Sequence, residues 1–358
     1  MAVFDGVIPA IVGAANAAAA ESYEIERSLR INDDDIAYLN RTPSGAGNQK
    51  TWTWSAWVKR SKINAEANLF SVGASSTDGA FRFNADDTLV VRDGAGGELV
   101  TSAYYGDPSA WYHIVVALDT TQSTASNRFK LYVNGAEPDL GSASYAALNA
   151  DGDFNAAVAH YIGRQVHNTA NLFDGYLTEI HFVNGTALAA TDFGEYDSNN
   201  VWQPKEYSGS YGTNGFYLKF DDNSSPAALG TDSSGNSNTW TVNNISVSPG
   251  AGNDSLIDTP TNYTAGSGNN GGNYATLSEV DNAGVTLSNG NLEVATSGWQ
   301  SFKATIGVTS GKWYWESQNK QSAAAILGVA TEQASVFPNG SIFGSTGHSG
   351  GDSNPAWT

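Results

Sequence analysis

The chain of 358 residues contains no cysteine and few basic residues, and each shortage excludes a class of protein. Without cysteine there can be no disulfide framework, no thiolate metal site and no cysteine nucleophile. Lys and Arg number 17 against 36 Asp and Glu, which gives a formal net charge of -19. Because this charge repels phosphate backbones, we expect no nucleic-acid binding.

Long apolar runs are also missing from the sequence. No stretch of about 18 apolar residues occurs, so we expect no transmembrane helix and no membrane insertion. The apolar, small-residue run at 7–20 is preceded by Asp5 and by no Lys or Arg, which argues against an export signal.

Residues 1–22 differ in composition from the rest of the chain and predict a short helix or an extended arm. Such a segment has too little surface to fold alone, so we expect it to dock on a partner or on a neighbouring copy. A frayed terminus is the alternative. The apolar side chains expected to make this anchoring contact are Val3, Phe4, Val7, Ile8, Ile11 and Val12.

Glycine and aromatic residues are abundant, with 39 Gly, 16 Tyr, 14 Phe and 10 Trp, whereas only 15% of residues are charged. This mixture is typical of short strands joined by tight turns. Apolar and polar residues alternate at 80–84 and 129–133, which places the aromatic rings on one face of a strand. Asn134-Gly135 and Asn184-Gly185 follow such strands directly and predict type I′ hairpin turns. The sequence therefore predicts an all-β protein.

Composition divides the chain into four parts. After the arm, 23–248 predicts a β-sandwich, and 249–275 is a Gly/Asn-rich linker or an ordered loop that lies on another surface. Residues 276–358 predict a second, incomplete sandwich, because a complete one needs more strands than roughly 80 residues supply. Either the natural chain continues, or another copy completes this domain.

Five segments resemble, in the expected order, a laminin-G-like jelly roll of the concanavalin-A type. The likeness covers about residues 23–195 and implies a two-sheet jelly-roll sandwich. The segments that carry it are Trp52–Arg60, Leu69–Gly73, Trp111–Val116, Lys130–Gly135 and Phe173–Ile180.

A second resemblance lies downstream, where Ser310–Glu316 and Ile326–Ala330 are similar to the start of a SPRY-type sandwich. The intervening Asp254–Tyr263 and Leu287–Val294 are similar to segments of marine bacteriophage virion proteins. This combination implies a structural virion protein, a phage tail-fibre subunit whose N-terminus docks on the tail and whose sandwiches project towards the host.

The same resemblance implies the partners and the location of the chain. The partners would be other virion proteins, namely a tail adaptor, nozzle or capsid component, together with a host-surface glycan. The expected assembly is a homotrimer on the virion surface. The alternatives are a capsid-attached surface fibre, a carbohydrate-binding adhesin and, less favoured, a glycan depolymerase.

Motifs for catalysis are missing, and we assign no catalytic residue. The histidines form no HExxH pair, and His113 and His181 alternate with apolar residues as ordinary strand residues do. Glycan hydrolysis needs two carboxylates across a cleft, yet Glu179 has no acidic partner at alternate positions. The sequence predicts a protein that is not an enzyme.

Weak binding signals remain. Asp232, Ser234 and Asn236 place oxygen atoms at alternate positions, which suits a structural calcium ion, although these residue types are also those of ordinary turns. No other cofactor is expected. Trp52, Trp54, Trp313 and Trp315 pair at two-residue spacing and are expected in cores. The candidates for glycan stacking are Trp111, Trp202 and Trp357.

Overall fold

The computed structural model describes residues 23–75, 78–166, 170–261, 272–298, 300–310, 314–320 and 327–329, together with the backbone of residues 3–7. The regular elements are almost all strands, joined by three short 3₁₀-helices at Ala125–Asn127, Ala190–Asp192 and Pro226–Gly230. Within the described ranges, no helix has the length and apolar character needed to cross a membrane.

The strands are numbered in chain order. They are β1 Val3–Val7, β2 Ser28–Ile31, β3 Tyr38–Arg41, β4 Thr51–Arg60, β5 Ala67–Val72, β6 Ala80–Phe83, β7 Thr88–Asp93, β8 Gly97–Tyr104, β9 Trp111–Asp119, β10 Phe129–Val133, β11 Leu140–Ser144, β12 His160–Ile162, β13 Gly175–Asn184, β14 Gly194–Tyr196, β15 Trp202–Pro204, β16 Phe216–Leu218, β17 Thr241–Asn243, β18 Ser255–Leu256, β19 Leu277–Asn282, β20 Thr286–Ser288, β21 Glu293–Ala295, β22 Phe302–Ala304 and β23 Glu316–Asn319.

Two large antiparallel sheets pack face to face. The seven-stranded sheet runs β10-β9-β4-β13-β2-β18, with β16 also paired to β13. The eight-stranded sheet runs β11-β8-β7-β6-β5-β12-β3-β17. The sequence predicted this all-β, concanavalin-A-like sandwich, and the structure confirms it.

The core between the two sheets is rich in aromatic rings. Trp52 and Trp54 are buried there as predicted, Trp52 stacking on Phe182 and Trp54 on Phe70. Both tryptophans lie on one face of β4 because alternate residues of a strand point the same way. Large rings bury most area per side chain, so this cluster contributes much of the stability of the sandwich.

Some local predictions were wrong. Asn134 and Gly135 both have positive φ, as a type I′ turn requires, whereas at the second site only Gly185 does. There the Gly185 N–H bonds to the Thr51 carbonyl, and the chain does not turn straight back: the strand that returns to this end of β13 is β16, after the segment that covers the sheet. Trp315, expected in a core, is 45% exposed, and Trp313 lies outside the described residues.

The segment expected as a linker at 249–275 lies on the first sandwich over its described residues. Ser255–Leu256 form β18, which extends the seven-stranded sheet beside β2. Arg30 Nε donates to Asp254 Oδ1 at 2.9 Å, and both side chains are buried. This ion pair and the β18 pairing hold the described residues of the segment on the sandwich.

The backbone of β1 pairs with the chain's own C-terminal strands. Val3–Asp5 run antiparallel to β21, and Phe4–Val7 run antiparallel to β23. Beside this sheet, β19 and β22 form a two-stranded pair, and Val294 is the fully buried residue of a small core. The arm is therefore extended over 3–7, and its described partner is the same chain.

Candidate functional site

The outer face of the seven-stranded sheet is covered by the chain itself. Residues 186–217, 23–27 and 255–261 lie across it, and together they bury a second apolar cluster that includes Trp57, Trp111 and Trp202. Over the described residues this face is covered by the chain, so its buried polar groups act within the fold.

A bulge in β13 places Glu179 in the middle of this covered face. Its φ is 51°, in the left-handed region, and the register shifts between Thr178 and His181. The buried carboxylate accepts hydrogen bonds from the hydroxyls of Tyr23 at 2.9 Å and Tyr217 at 2.7 Å. Burial and the charge of Glu179 raise the pKa values of both tyrosines far above the ordinary value.

The Glu179 carboxylate is engaged within the fold. Apart from the two tyrosines, Glu179 contacts His181, whose Nε2 lies 3.5 Å from Oε2 and whose ring stacks on Tyr217. Glu179 is 3% exposed, so this network holds β13 to the segments that cover it.

Two other carboxylates, Asp93 and Asp153, lie close together at the end of β7. Asp93 Oδ1 accepts from the Asp153 N–H at 2.7 Å, and burial raises the pKa of Asp93 to about 7. The Asp93 side chain is 0% exposed, so a substrate sugar cannot reach it. This pair is a structural feature of the sandwich rim.

His113 lies in β9 and is buried, and its ring is neutral. Its Nδ1 accepts from Trp202 Nε1 at 3.0 Å, so its Nε2 carries the proton and donates to Ser55 Oγ at 2.9 Å. Burial lowers the pKa of His113 to about 3. Both ring nitrogens are occupied, so His113 has no position left for a zinc ion.

The outer face of the eight-stranded sheet is open at the end formed by β12, β3 and β17. Leu39 and Ile162 point into the core, so Tyr38, Asn40 and Tyr161 point outward. Asn40 is paired with Tyr161 on one side and with Thr241 on the other, so β3, β12 and β17 present their side chains in neighbouring rows. These outward residues are half-buried or exposed.

An aromatic and polar platform lies at this end of the sheet. We define it as Tyr38, Asn40, Tyr161, Arg164 and Asn243. The Arg164 guanidinium carbon lies 4.6 Å from the Tyr38 ring centroid and 4.8 Å from that of Tyr161. Asn243 Nδ2 donates to Asn40 Oδ1 at 2.8 Å. Flat rings beside planar amide and guanidinium groups can contact both the apolar and the hydroxyl-bearing faces of a sugar.

Sequence reasoning missed the platform and selected tryptophans instead. Trp111 donates from Nε1 to Asp258 Oδ1 at 3.0 Å and packs on Tyr176. Trp202 donates to His113 and is 9% exposed. Neither ring has a face available for a sugar, and Trp357 lies outside the described residues. The alternation of outward and inward residues at Tyr38-Leu39-Asn40 is the sequence signal that could have indicated the platform.

The loop predicted to hold calcium is closed by its own hydrogen bonds. Asp232 Oδ1 accepts from the N–H groups of Tyr217 and Ser234, and Oδ2 accepts from Ser234 Oγ and the Asn238 N–H. Asn236 Nδ2 donates to the Gly215 carbonyl at 2.9 Å. These bonds are those of an Asx turn and engage both carboxylate oxygens of Asp232. Calcium binding at this loop stays a prediction. No group of three or more His, Cys, Asp or Glu in the described part of the chain is placed to hold a metal ion.

The residues predicted to anchor the N-terminus are only partly described. Val3, Phe4 and Val7 belong to β1, for which the backbone alone is described, and Ile8, Ile11 and Val12 lie outside the described residues. Attachment to another protein through these side chains stays a prediction.

Comparisons with known proteins found a family model that matches part of the first sandwich. Residues 33–192 match the laminin-G family model described as the concanavalin A-like lectin/glucanases superfamily. No curated protein matches the chain.

Three solved structures illustrate the likeness in fold. A putative carbohydrate binding protein from Bacteroides ovatus is 16% identical with a TM-score of 0.43, the match covering 62% of this chain and 59% of that protein. Domain 4 of an extracellular arabinanase from Geobacillus stearothermophilus, in complex with arabinotriose, is 15% identical over 52% of this chain and 84% of the domain, with a TM-score of 0.31. A pentraxin from Limulus polyphemus is 13% identical over 52% and 78%, with a TM-score of 0.30.

The two-sheet architecture, the buried tryptophan core and the family match agree over the same residues. The chain spans about 59% of the length of the Bacteroides protein, so that protein's whole organisation is not represented here. Residues 33–192 are thus similar in sequence to the concanavalin A-like lectin/glucanases family, and they lie in the two-sheet, all-β sandwich.

Proposed function

We propose that this chain is a non-catalytic, adhesin-like protein that binds carbohydrate on the open face of its eight-stranded sheet. The observation that carries the proposal is the platform, where Arg164 lies over the rings of both Tyr38 and Tyr161. Among the described residues, the outer face of the opposite sheet is covered, whereas the outward side chains of β3, β12 and β17 are half-buried or exposed and can meet a ligand.

The chemistry of the platform suits a glycan. Aromatic rings take the C–H faces of a sugar, while amide and guanidinium groups donate to its hydroxyls. Asn40 and Asn243 already bond to each other, so their orientation is fixed before a ligand arrives. A prearranged surface loses little side-chain entropy on binding.

A glycan array tests the proposal. The full chain should bind a subset of the glycans, and a Tyr38→Ala/Tyr161→Ala variant should lose that binding with little change in melting temperature. Tyr104→Ala is the matched control, because Tyr104 lies on the same sheet and is 72% exposed but is remote from the platform in strand order. A flat response of the full chain, or unchanged binding by the double variant, contradicts the proposal.

A role in a virion is the finer proposal and rests on the sequence resemblance. It is supported by the two virion-like connector segments, both of which contact the sandwich. Asp254 pairs with Arg30, and the Gly290 carbonyl accepts from the Tyr176 hydroxyl at 2.6 Å. In this role the chain is a homotrimeric tail-fibre or capsid-fibre subunit on the particle surface, with the SPRY-like unit beyond the first sandwich.

Deletion of residues 2–20 tests the anchoring part of the virion proposal. The truncated chain should be missing from assembled particles, as measured by immunolabelling in electron micrographs. Because β1 also pairs with β21 and β23, the melting temperature of the truncated chain must be measured in the same experiment, to show that it still folds. A folded truncated chain that is incorporated normally contradicts anchoring through this segment.

A further inference from the structure

Lys59, Asp258 and Asn273 meet on the covered face of the seven-stranded sheet. Lys59 Nζ lies 2.8 Å from Asp258 Oδ2 and donates to Asn273 Oδ1 at 2.9 Å. The Lys59 side chain is 0% exposed and that of Asp258 is 6% exposed. A primary amine, a carboxylate and a side-chain amide are thus held together where bulk water has little access.

Strand pairing sets the positions of these three side chains. Lys59 belongs to β4, which lies between β9 and β13 in the sheet. A parallel bridge joins Asp258 to Gly272, and this bridge brings the next residue, Asn273, to the side of Asp258. The lysine therefore comes from the sandwich, whereas the carboxylate and the amide come from the segment that follows it.

The Asn273 amide is oriented with its oxygen towards the amine. Asn273 Nδ2 donates to the Ser109 carbonyl at 2.7 Å, so the nitrogen is directed away from Lys59. The amide carbon is one C=O bond of about 1.2 Å from Oδ1, which places Nζ within roughly 4 Å of that carbon. Held groups react from separations of about 3–3.5 Å, which a small rotation of the amide reaches.

Asp258 is placed to carry the protons of such a reaction. Burial raises the pKa of its carboxyl above the ordinary value, although the charge of Lys59 opposes the rise. A carboxylate with a raised pKa accepts a proton more readily, and Oδ2 already accepts a hydrogen bond from Nζ. Oδ1 accepts from Trp111 Nε1 at 3.0 Å, which keeps the carboxylate directed at Lys59. Proton transfer along the Nζ–Oδ2 hydrogen bond leaves the amine with the lone pair of a nucleophile.

We propose that Lys59 and Asn273 become joined by an intramolecular isopeptide bond, with Asp258 transferring the protons. Nζ gives one proton to Asp258 and attacks the amide carbon of Asn273, so the Nζ–Cγ bond forms and the Cγ–Nδ2 bond breaks. The leaving nitrogen takes a second proton from Nζ together with the proton that Asp258 carried, and it departs as ammonium. Asp258 is again a carboxylate at the end, and the reaction consumes no oxidant, reductant or cofactor.

This bond would fasten the sandwich to the segment beyond it. It joins positions 214 residues apart, and a cross-link over a long loop stabilises a fold by removing conformations from the unfolded chain. Disulfides do this in other proteins, but this chain contains no cysteine. The inference does not rest on carbohydrate binding, which is proposed for the opposite sheet.

Mass spectrometry of the denatured full chain tests the bond. The unaltered chain should be lighter than its sequence mass by one ammonia, and a protease digest should contain a branched peptide that joins Lys59 to Asn273. Asn273→Ala should have its full sequence mass and a lower melting temperature. Asp258→Asn keeps the shape of the side chain and should slow bond formation about 100-fold or more, followed as the mass at intervals after cell-free synthesis.

Lys62→Ala is the matched control, because Lys62 also pairs with an aspartate, Asp33 at 2.7 Å, but is 49% exposed. This variant should keep both the mass loss and the branched peptide. Succinimide formation at an Asn-Gly pair also releases ammonia, but that loss would remain in Asn273→Ala and would give no branched peptide.

The proposal is overturned if the unaltered chain has its full sequence mass, or if its digest yields Lys59 and Asn273 only in separate peptides. A mass loss that remains in Asn273→Ala overturns it as well. An unchanged rate in Asp258→Asn overturns the proton transfer by Asp258. The masses of the unaltered chain and of Asn273→Ala decide the question even if Asp258→Asn does not fold.

Discussion

Lys59 Nζ lies 2.8 Å from Asp258 Oδ2, with the two side chains 0% and 6% exposed, and this ion pair joins the sandwich to the segment beyond it. The same ammonium donates to Asn273 Oδ1 at 2.9 Å and to the Tyr274 carbonyl at 2.6 Å. All three donors of Lys59 are thus satisfied by residues more than 190 positions away in the chain.

Removing one partner of this pair should be strongly destabilising. Asp258→Ala leaves the Lys59 charge buried without its counterion, which costs about 3–5 kcal/mol in comparable pairs. Denaturant unfolding measures the loss. The control is the exposed pair Lys130–Glu137, whose N–O distance is 3.1 Å. There Glu137→Ala should lower the free energy of unfolding by less than about 1 kcal/mol. Equal losses at the two pairs would contradict a structural role for Lys59–Asp258.

Gly175 should not tolerate a side chain. A Cβ there would overlap the Lys59 carbonyl oxygen and the Phe173 ring, and its φ is 155°. Gly175→Ala should lower the free energy of unfolding by several kcal/mol, because the strands β2 and β4 on both sides of Gly175 would have to separate. Gly45→Ala is the control, since a Cβ at Gly45 meets nothing within 4 Å. A melting curve of Gly175→Ala that matches that of Gly45→Ala would disprove the close approach.

The rim carboxylate Asp93 makes stability depend on pH. Its pKa is about 7 in the folded chain against 3.8 ordinarily, with burial as the first cause. The folded state therefore binds the proton more tightly, and the stability this contributes at low pH is lost as the pH rises through about 7.

Asp93→Asn removes that dependence. Between pH 4 and pH 8 the variant should gain roughly 2–4 kcal/mol relative to the unaltered chain, since each pKa unit corresponds to about 1.4 kcal/mol. Melting at a series of pH values measures the difference. Asp151→Asn, whose side chain is 66% exposed, should show a flat difference over the same range.

Loss of one acceptor oxygen at Glu179 should lower the free energy of unfolding. Glu179→Gln replaces one carboxylate oxygen with an amide nitrogen, which cannot accept from the hydroxyls of Tyr23 and Tyr217. We expect a loss of about 1–3 kcal/mol in unfolding free energy from the unsatisfied buried group. Glu137→Gln at an exposed position should have no effect. A neutral Glu179→Gln would show that the network does not hold the cover.

The sandwich could be predicted because its signals are local. Alternation along a strand places Trp52 and Trp54 on one face regardless of which strand pairs with it. The first Asn-Gly turn follows from two adjacent residues that both tolerate positive φ. Such features need no knowledge of distant residues.

The platform could not be predicted because it forms between distant residues. Tyr38 meets Arg164 only once β3 and β12 pair. Trp111 and Trp202 lie close to turns in sequence, yet later segments cover them. Their exposure depends on connections that composition does not reveal.

The pairing of β1 also sets an order of events during synthesis. Val3 pairs with Ala295 and Phe4 with Asn319, so β1 finds its partners only after about 300 further residues have been synthesised. At typical elongation rates of 5–20 residues per second this interval is roughly 15–60 s. The intervening sandwich can fold during that time, whereas the sheet that contains β1 forms only after β23 has left the ribosome.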